Sequence, residues 1–319
     1  MKITLISALS GVPTIYPFEG YGGIERIVAD LANELHKRGY DVELIAYKGS
    51  KIPDVKTRYL NNEYDAKEIP LRDGVVIDFS HLKMYKHTKY SVPFLTDAMG
   101  TNPIFPTYFV RDMFLQANPS LAMGGKVIYP GIDLQSFLTA VPTVQQDYFT
   151  FMSRIAPYKG VHEVVSIANT LNVKLKIAGH IGEFSNGDKY ANKILEMSRE
   201  YPNIELIGNI TEEQKTYLLV NSKGLIAYPM WNLLGQNLGE SFGIFAVEAL
   251  ACGIPVFLPN IPNGCNEIIT KATGLLFDPF APESIGRFES TPEICRERAK
   301  YFSIERYASD LLEYISKRE

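Results

Sequence analysis

Gly239-Glu240-Ser241-Phe242-Gly243-Ile244-Phe245-Ala246-Val247-Glu248-Ala249-Leu250-Ala251-Cys252-Gly253-Ile254-Pro255-Val256 reads as a loop, a helix, a stop and a strand. Residues 244–251 are good helix material, and Gly253 followed by Pro255 ends the helix. The apolar run from Pro255 is a short buried strand. A helix feeding straight into a buried strand is half of a repeating α/β unit, and the same grammar extends in both directions along the chain.

Working outward, strands are expected at 148–152, 173–178, 204–207, 224–228 and 274–277. Helices are expected at about 159–171, 187–200 and 212–221, the last opened by Thr211 as an N-cap. The first half opens with a strand at 2–8, a Gly/Pro-rich loop at 10–22 and an amphipathic helix from Ile24 to Arg38. Ile24, Ile27, Val28, Leu31 and Leu35 share one stripe of that helix, and Gly39 caps it before a strand at Val42–Tyr47. Further strands are expected at 75–79, 92–96 and 126–129. Residues 134–147 have weak periodicity and read as a linker, and 303–318 as a final amphipathic helix. Strand–helix alternation twice over predicts two doubly wound, Rossmann-like α/β domains facing a cleft. The expected division is 1–146 and 147–302, with the helix in 303–319 packing back on the first domain.

The 319 residues suffice for two domains, and 46% hydrophobic residues give each half a core. A formal net charge of −4 with scattered Lys and Arg argues against nucleic acid held on a basic face. The one basic cluster, Lys83, Lys86, His87 and Lys89, reads first as a solvated face and second as a contact for an anionic acceptor or a membrane surface. Cys252, Cys265 and Cys295 form an odd set without metal-ligand spacing, which suits a reducing compartment. No signal peptide and no bilayer-length apolar run is recognisable, so a cytoplasmic protein is expected, with peripheral contact at the inner membrane face admitted.

The chemistry returns to the opening stretch. Glu240 sits in the loop and Glu248 on the helix, eight positions apart. Eight helical residues rise about 12 Å, roughly the span between hydroxyls at the two ends of a diphosphate. A helix N-terminus softened by Gly243 attracts phosphate, and a carboxylate accepts two hydrogen bonds from a vicinal diol. On its own an E-x7-E pair reads more readily as two surface acids near a helix dipole. Arg154 and Lys159 on their own read as common surface chemistry, but they follow the first strand of the second half, at the edge where open α/β sheets bind ligands, and there could neutralise a diphosphate leaving group. Gly22 and Gly23 precede the first helix of the first half, either as a turn or as a place of close backbone approach. His81 and His180 each follow a strand, and for both a structural role and a substrate-orienting role stay open. No D-x-D and no His/Cys/Asp cluster with metal spacing occurs, so no cofactor and no metal is expected. The first-half glycines do not form G-x-G-x-x-G, which leaves a dinucleotide cofactor poorly supported.

Together these pieces resemble the retaining GT-B glycosyltransferases of family 4, the glycosyl transferases group 1. The resemblance runs through Tyr21-Gly22-Gly23-Ile24-Glu25, Arg38-Gly39-Tyr40-Asp41-Val42, Val127-Ile128-Tyr129-Pro130-Gly131-Ile132-Asp133, Ser153-Arg154 with Lys159-Gly160, and Ile177-Ala178-Gly179. It is strongest over Glu240–Pro255 and continues to Asn266-Glu267-Ile268-Ile269 and Gly274-Leu275-Leu276-Phe277. It implies a metal-independent enzyme that moves a hexosyl group from a UDP-sugar or GDP-mannose to an acceptor hydroxyl on a sugar, a lipid-linked substrate or a small molecule. Arg154 and Lys159 match the family's diphosphate-binding pair, Glu248 its ribose ligand and Glu240 its donor-sugar contact. Ser241, Phe242, Gly243, Ile244 and Phe245 match backbone near phosphates and sugar; Gly208, Asn209 and Ile210 a segment near the base; Gly22 and Gly23 a loop that closes on the donor. His81 stands about where the family places an active-site histidine. The chain departs from the pattern between residues 50 and 125 and at Trp231–Leu238. A nucleotide-sugar 2-epimerase and a non-catalytic sugar-nucleotide binding protein remain the rival readings.

Overall fold

The computed structural model describes residues 1–7, 12–18, 22–60, 73–80, 89–93, 101–117, 119–122, 124–144, 147–181, 187–230 and 239–319. The chain divides into two compact units, Met1–Asp133 with Phe302–Glu319, and Leu134–Tyr301. In chain order the first unit holds β1 (Lys2–Ser7), α1 (Gly23–Lys37), β2 (Asp41–Tyr47), β3 (Lys56–Leu60), β4 (Val75–Asp78) and β5 (Tyr90–Ser91). It continues through β6 (Asn102–Phe105), α2 (Tyr108–Ala117), α3 (Pro119–Ala122) and β7 (Lys126–Val127). The second unit runs through α4 (Gln135–Leu138), β8 (Tyr148–Met152), α5 (Val161–Thr170), β9 (Lys174–Ala178), α6 (Gly187–Glu200) and β10 (Ile204–Gly208). It ends with α7 (Glu212–Val220), β11 (Leu225–Ile226), α8 (Ile244–Ala251), β12 (Val256–Pro259), β13 (Gly274–Phe277) and α9 (Pro292–Lys300). The last helix, α10 (Ile304–Ser316), belongs to the first unit.

Each unit is built on one sheet whose described ladders are all parallel, ordered β3-β2-β1-β4-β5-β6-β7 and β10-β9-β8-β11-β12-β13. Strands covered on both faces need near-continuous apolar sequence, and β8 (Tyr-Phe-Thr-Phe-Met) is buried at every position. In the second unit Phe149, Phe151, Val164, Val165, Ile177 and Ile194 belong to one core between β8, β9, α5 and α6. In both sheets the strand order reverses beside the first strand, and open α/β sheets bind ligands at the carboxyl ends of the strands at such a reversal.

Several sequence expectations change. Residues 134–147 do not form a free linker: α4 lies within them, Phe137 is buried, and Asn221 Oδ1 accepts from the backbone N–H groups of Thr143 at 2.8 Å and Val144 at 3.1 Å. That anchoring places the division at Asp133/Leu134 rather than at 146/147. Of the strand expected at 92–96, Val92 and Pro93 lie just after a strand at Tyr90–Ser91 that pairs between β4 and β6, and 94–96 lie outside the described residues. The final helix joins the first unit through main chain: Ile132 N–H donates to Phe302 O at 3.2 Å, and Ile304 N–H to Ile132 O at 3.0 Å. Arg38 adds bonds to Ser309 Oγ at 2.9 Å and Glu305 O at 2.7 Å, fixing α10 to α1.

Candidate active site

The candidate site is built on the strand exits of the second sheet. After β8 the chain continues beside the exit of β9, with Ser153 N–H donating to Ala178 O at 3.2 Å and Ile155 N–H to His180 O at 3.0 Å. Arg154 is therefore held by its two neighbours, and its Nη1 donates to Tyr158 Oη at 2.7 Å. A turn of 3₁₀ helix, Pro157–Lys159, follows, and Gly160 leads into α5 in the left-handed region at φ 66°. A Cβ there would overlap the Tyr228 backbone oxygen, so glycine is needed on two counts. Gly160 thereby seats the Lys159 turn against the chain leaving β11.

Lys159 meets Glu240, with Nζ 2.6 Å from Oε2, across 81 residues of sequence. Glu240 is fixed from behind by its carbonyl, which accepts from Gly264 N–H at 2.7 Å. Gly243 then turns the chain into α8 at φ 97°, and a Cβ would lie 2.5 Å from the Cys265 Cβ. α8 has no side-chain cap, and Ala246 N–H donates to the Gly243 carbonyl at 3.0 Å, which turns the helix directly off Gly243. Phe242 is buried. Ser241, Ile244 and Phe245 are half-buried around it.

Glu248, one turn into α8, is buried with a side-chain exposure of 5%. A buried carboxylate is costly unless a charge meets it. Lys215 supplies that charge, its Nζ 2.9 Å from Glu248 Oε1 and 2.7 Å from Glu212 Oε1. No sequence motif pointed to Lys215. The available signal was Thr211: a cap there sets the phase of α7 and puts Glu212 and Lys215 on one face. Between β10 and α7, Gly208 O accepts from Gly179 N–H at 2.9 Å, and Asn209 Oδ1 from Ile181 N–H at 3.0 Å. Gly208, Asn209 and Ile210 thus line the exit of β9, next to His180.

The second unit brings together Arg154 with Tyr158, Lys159 with Glu240, and Glu248 with Lys215, all at strand exits or helix starts. In the first unit Gly22 (φ 142°) and Gly23 stand at the start of α1, where Gly22 packs against the buried Glu25. His81 and the cluster residues Lys83, Lys86 and His87 lie outside the described residues, as does Trp231–Leu238. Lys89 is described, and it pairs with Glu319 at 2.6 Å. Among the described residues there is no group of three or more His, Cys, Asp or Glu side chains placed to hold a metal ion. The three cysteines are buried and unbridged, and burial raises the pKa of each thiol.

Residues 141–290 match the family described as Glycosyl transferases group 1. A D-inositol 3-phosphate glycosyltransferase of Mycobacterium marinum is 28% identical over 142 residues, which are 41% of this chain and 28% of that protein. The match therefore spans less than a third of that relative's length. AviGT4, a glycosyltransferase involved in avilamycin A biosynthesis, superposes with a TM-score of 0.73 at 20% identity, covering 98% of this chain and 96% of its own. Anabaena HepE in complex with UDP superposes with a TM-score of 0.72 at 14% identity, covering 99% and 100%. Two Rossmann-like units with parallel sheets are the GT-B architecture expected from the sequence.

Proposed function

We propose that this chain is a glycosyltransferase that moves a hexosyl group from a nucleoside-diphosphate sugar to an acceptor hydroxyl, with retention and without a metal. The observation that carries the proposal is the Lys159–Glu240 pair, which joins two strand exits of one sheet inside the segment matched to group 1. Support also comes from the complex of the structurally similar HepE with UDP, a nucleoside diphosphate. A UDP-sugar or GDP-mannose is the expected donor, and a sugar, a lipid-linked substrate or a small molecule the expected acceptor. Among the described residues no helix is long and apolar enough to cross a membrane; a cytoplasmic enzyme touching the inner membrane face from outside the bilayer is the proposed setting.

In this proposal Arg154 and Lys159 take the diphosphate, helped by the N–H groups between Ser241 and Phe245 at the start of α8. Glu248 accepts from the ribose diol, Glu240 from the donor sugar, and Gly208–Ile210 border the base. Gly22 and Gly23 contribute backbone from the first unit, and His81 orients sugar or acceptor. The bond from the anomeric carbon to the diphosphate oxygen breaks as the acceptor oxygen bonds to that carbon on the same face. The acceptor proton passes to the departing phosphate oxygen, so no enzyme nucleophile is needed. Orientation and cationic stabilisation of the leaving diphosphate then account for the rate.

The test is a transfer assay across UDP- and GDP-sugars with an acceptor panel, following release of nucleoside diphosphate and the anomeric configuration of the product. A new glycoside with retained configuration, formed equally in EDTA, is expected. Nucleotide release with epimerised free sugar would instead favour the epimerase, and binding with no turnover on any acceptor the non-catalytic protein.

A further inference from the structure

Lys215 belongs to none of the sequence motifs, yet it is the residue whose charge meets the most deeply buried carboxylate of the site. Its place follows from local chemistry. Thr211 Oγ1 accepts from Gln214 N–H at 3.2 Å, and Gln214 Oε1 accepts from Thr211 N–H at 2.9 Å. This reciprocal box fixes where α7 begins. Glu212 and Lys215, three residues apart, then share a face, and that face meets Glu248. The ammonium lies between two carboxylate oxygens, 2.7 Å from Glu212 and 2.9 Å from Glu248. The Phe137 ring centroid is 6.0 Å away on a third side. With 14% side-chain exposure against 5% for Glu248, the pair is shielded from bulk water.

A carboxylate binds a vicinal diol well only when its plane is fixed before the diol arrives, because the two hydrogen bonds are directional. An ammonium bonded to Oε1 and anchored in turn by a second carboxylate holds Glu248 in one orientation. We infer that Lys215 is a positioning residue that sets Glu248 for a ribose diol, and so makes the site select ribonucleotides over 2′-deoxyribonucleotides. The inference rests on the donor reading proposed above, in which Glu248 is the ribose ligand. It assigns Lys215 no contact with phosphate, which separates it from Lys159.

The experiment is calorimetric titration of UDP, GDP and their 2′-deoxy counterparts into the wild-type chain and the Lys215→Met and Lys215→Arg variants. In the wild type the ribonucleotide is expected to bind about tenfold more tightly than its 2′-deoxy counterpart, as for one charge-assisted hydrogen bond. Lys215→Met is expected to remove most of that preference while weakening the 2′-deoxy ligand less than about threefold, and Lys215→Arg to restore at least half of it. Equal weakening of both ligands, or an unchanged ratio, in a variant that melts cooperatively would overturn the inference and leave the donor reading standing. A wild type that binds none of the four would overturn the donor reading, and the inference with it. Should the methionine variant fail to fold, Lys215→Gln, which keeps a donor but loses the charge, is expected to show an intermediate ratio. A wild-type ratio in that variant would count against the inference.

Discussion

Two lysine–glutamate pairs stand at the strand exits of the second unit, and they differ in what surrounds them. Lys159–Glu240 is partly open, with side-chain exposures of 20% and 16%, and it joins a tight turn to a loop. Glu248–Lys215 is closed, at 5% and 14%, and joins two helices. A pair that water reaches contributes little to stability and is exchanged readily for a better partner. A pair that water scarcely reaches is costly to break from one side, because the remaining charge stays buried. Under the proposed function the two pairs have different work: the open pair yields its lysine to an incoming diphosphate, and the closed pair keeps its geometry throughout.

The largest expected effect breaks the open pair from the cationic side. Lys159→Ala and Arg154→Ala should each lower transfer by on the order of 10²–10³, the loss seen when one charge-stabilising group is removed from a transition state. Steady-state kinetics with unchanged thermal melts would establish this, and wild-type turnover in both variants would remove charge stabilisation from these residues. Next in size, Gly160→Ala places a Cβ against the Tyr228 backbone oxygen at a left-handed position. It should cost roughly 2–3 kcal/mol in denaturant unfolding and weaken nucleotide binding through Lys159, while the ribo/2′-deoxy ratio set by the closed pair stays. Loss of that ratio would mean that the two pairs are not independent.

Smaller still, Glu240→Gln removes the competitor for the Lys159 ammonium. With that competitor gone, affinity for the bare nucleoside diphosphate should rise even as transfer falls. Weaker diphosphate binding would contradict the proposed exchange of partners. The smallest expected effect is that of EDTA, which should leave turnover unchanged.

The elements around the open pair are legible in the sequence because strong local signals mark them: apolar β8 and an apolar helix closed by Gly-Ile-Pro; the 3₁₀ turn at Pro157–Lys159 is not, and it delays the helix expected from about 159 to Val161. Spacing puts Glu240 in a loop, Glu248 on a helix and Arg154 and Lys159 after the first strand of the second half, where the structure has them, while their roles come from the family resemblance. The partner of Glu248 is not legible, since a salt bridge between α7 and α8 is a tertiary fact that one strand of sequence does not encode. Other misses have similar causes. β6 contains Pro103, which argues against a strand inside a sheet. β3 (Lys-Thr-Arg-Tyr-Leu) is a polar edge strand whose Arg58 pairs with the buried Glu43 at 2.8 Å. α9 buries little beyond Cys295 and Ala299 and owes its start to Thr291, which accepts from Ile294 N–H. The short α4 hid in an apparent linker because Phe137 is its one large apolar anchor.

In the proposed function the second unit holds a nucleoside diphosphate through the cations at the exit of β8. Titration of UDP and GDP into the wild-type chain and into the Arg154→Ala/Lys159→Ala double variant tests this. The wild type is expected to bind at least one of the two, and the double variant to bind it at least about tenfold more weakly, with an unchanged thermal melt in the absence of ligand. Binding of equal strength in both proteins, or no binding of either nucleotide by the wild type, would contradict the proposed function.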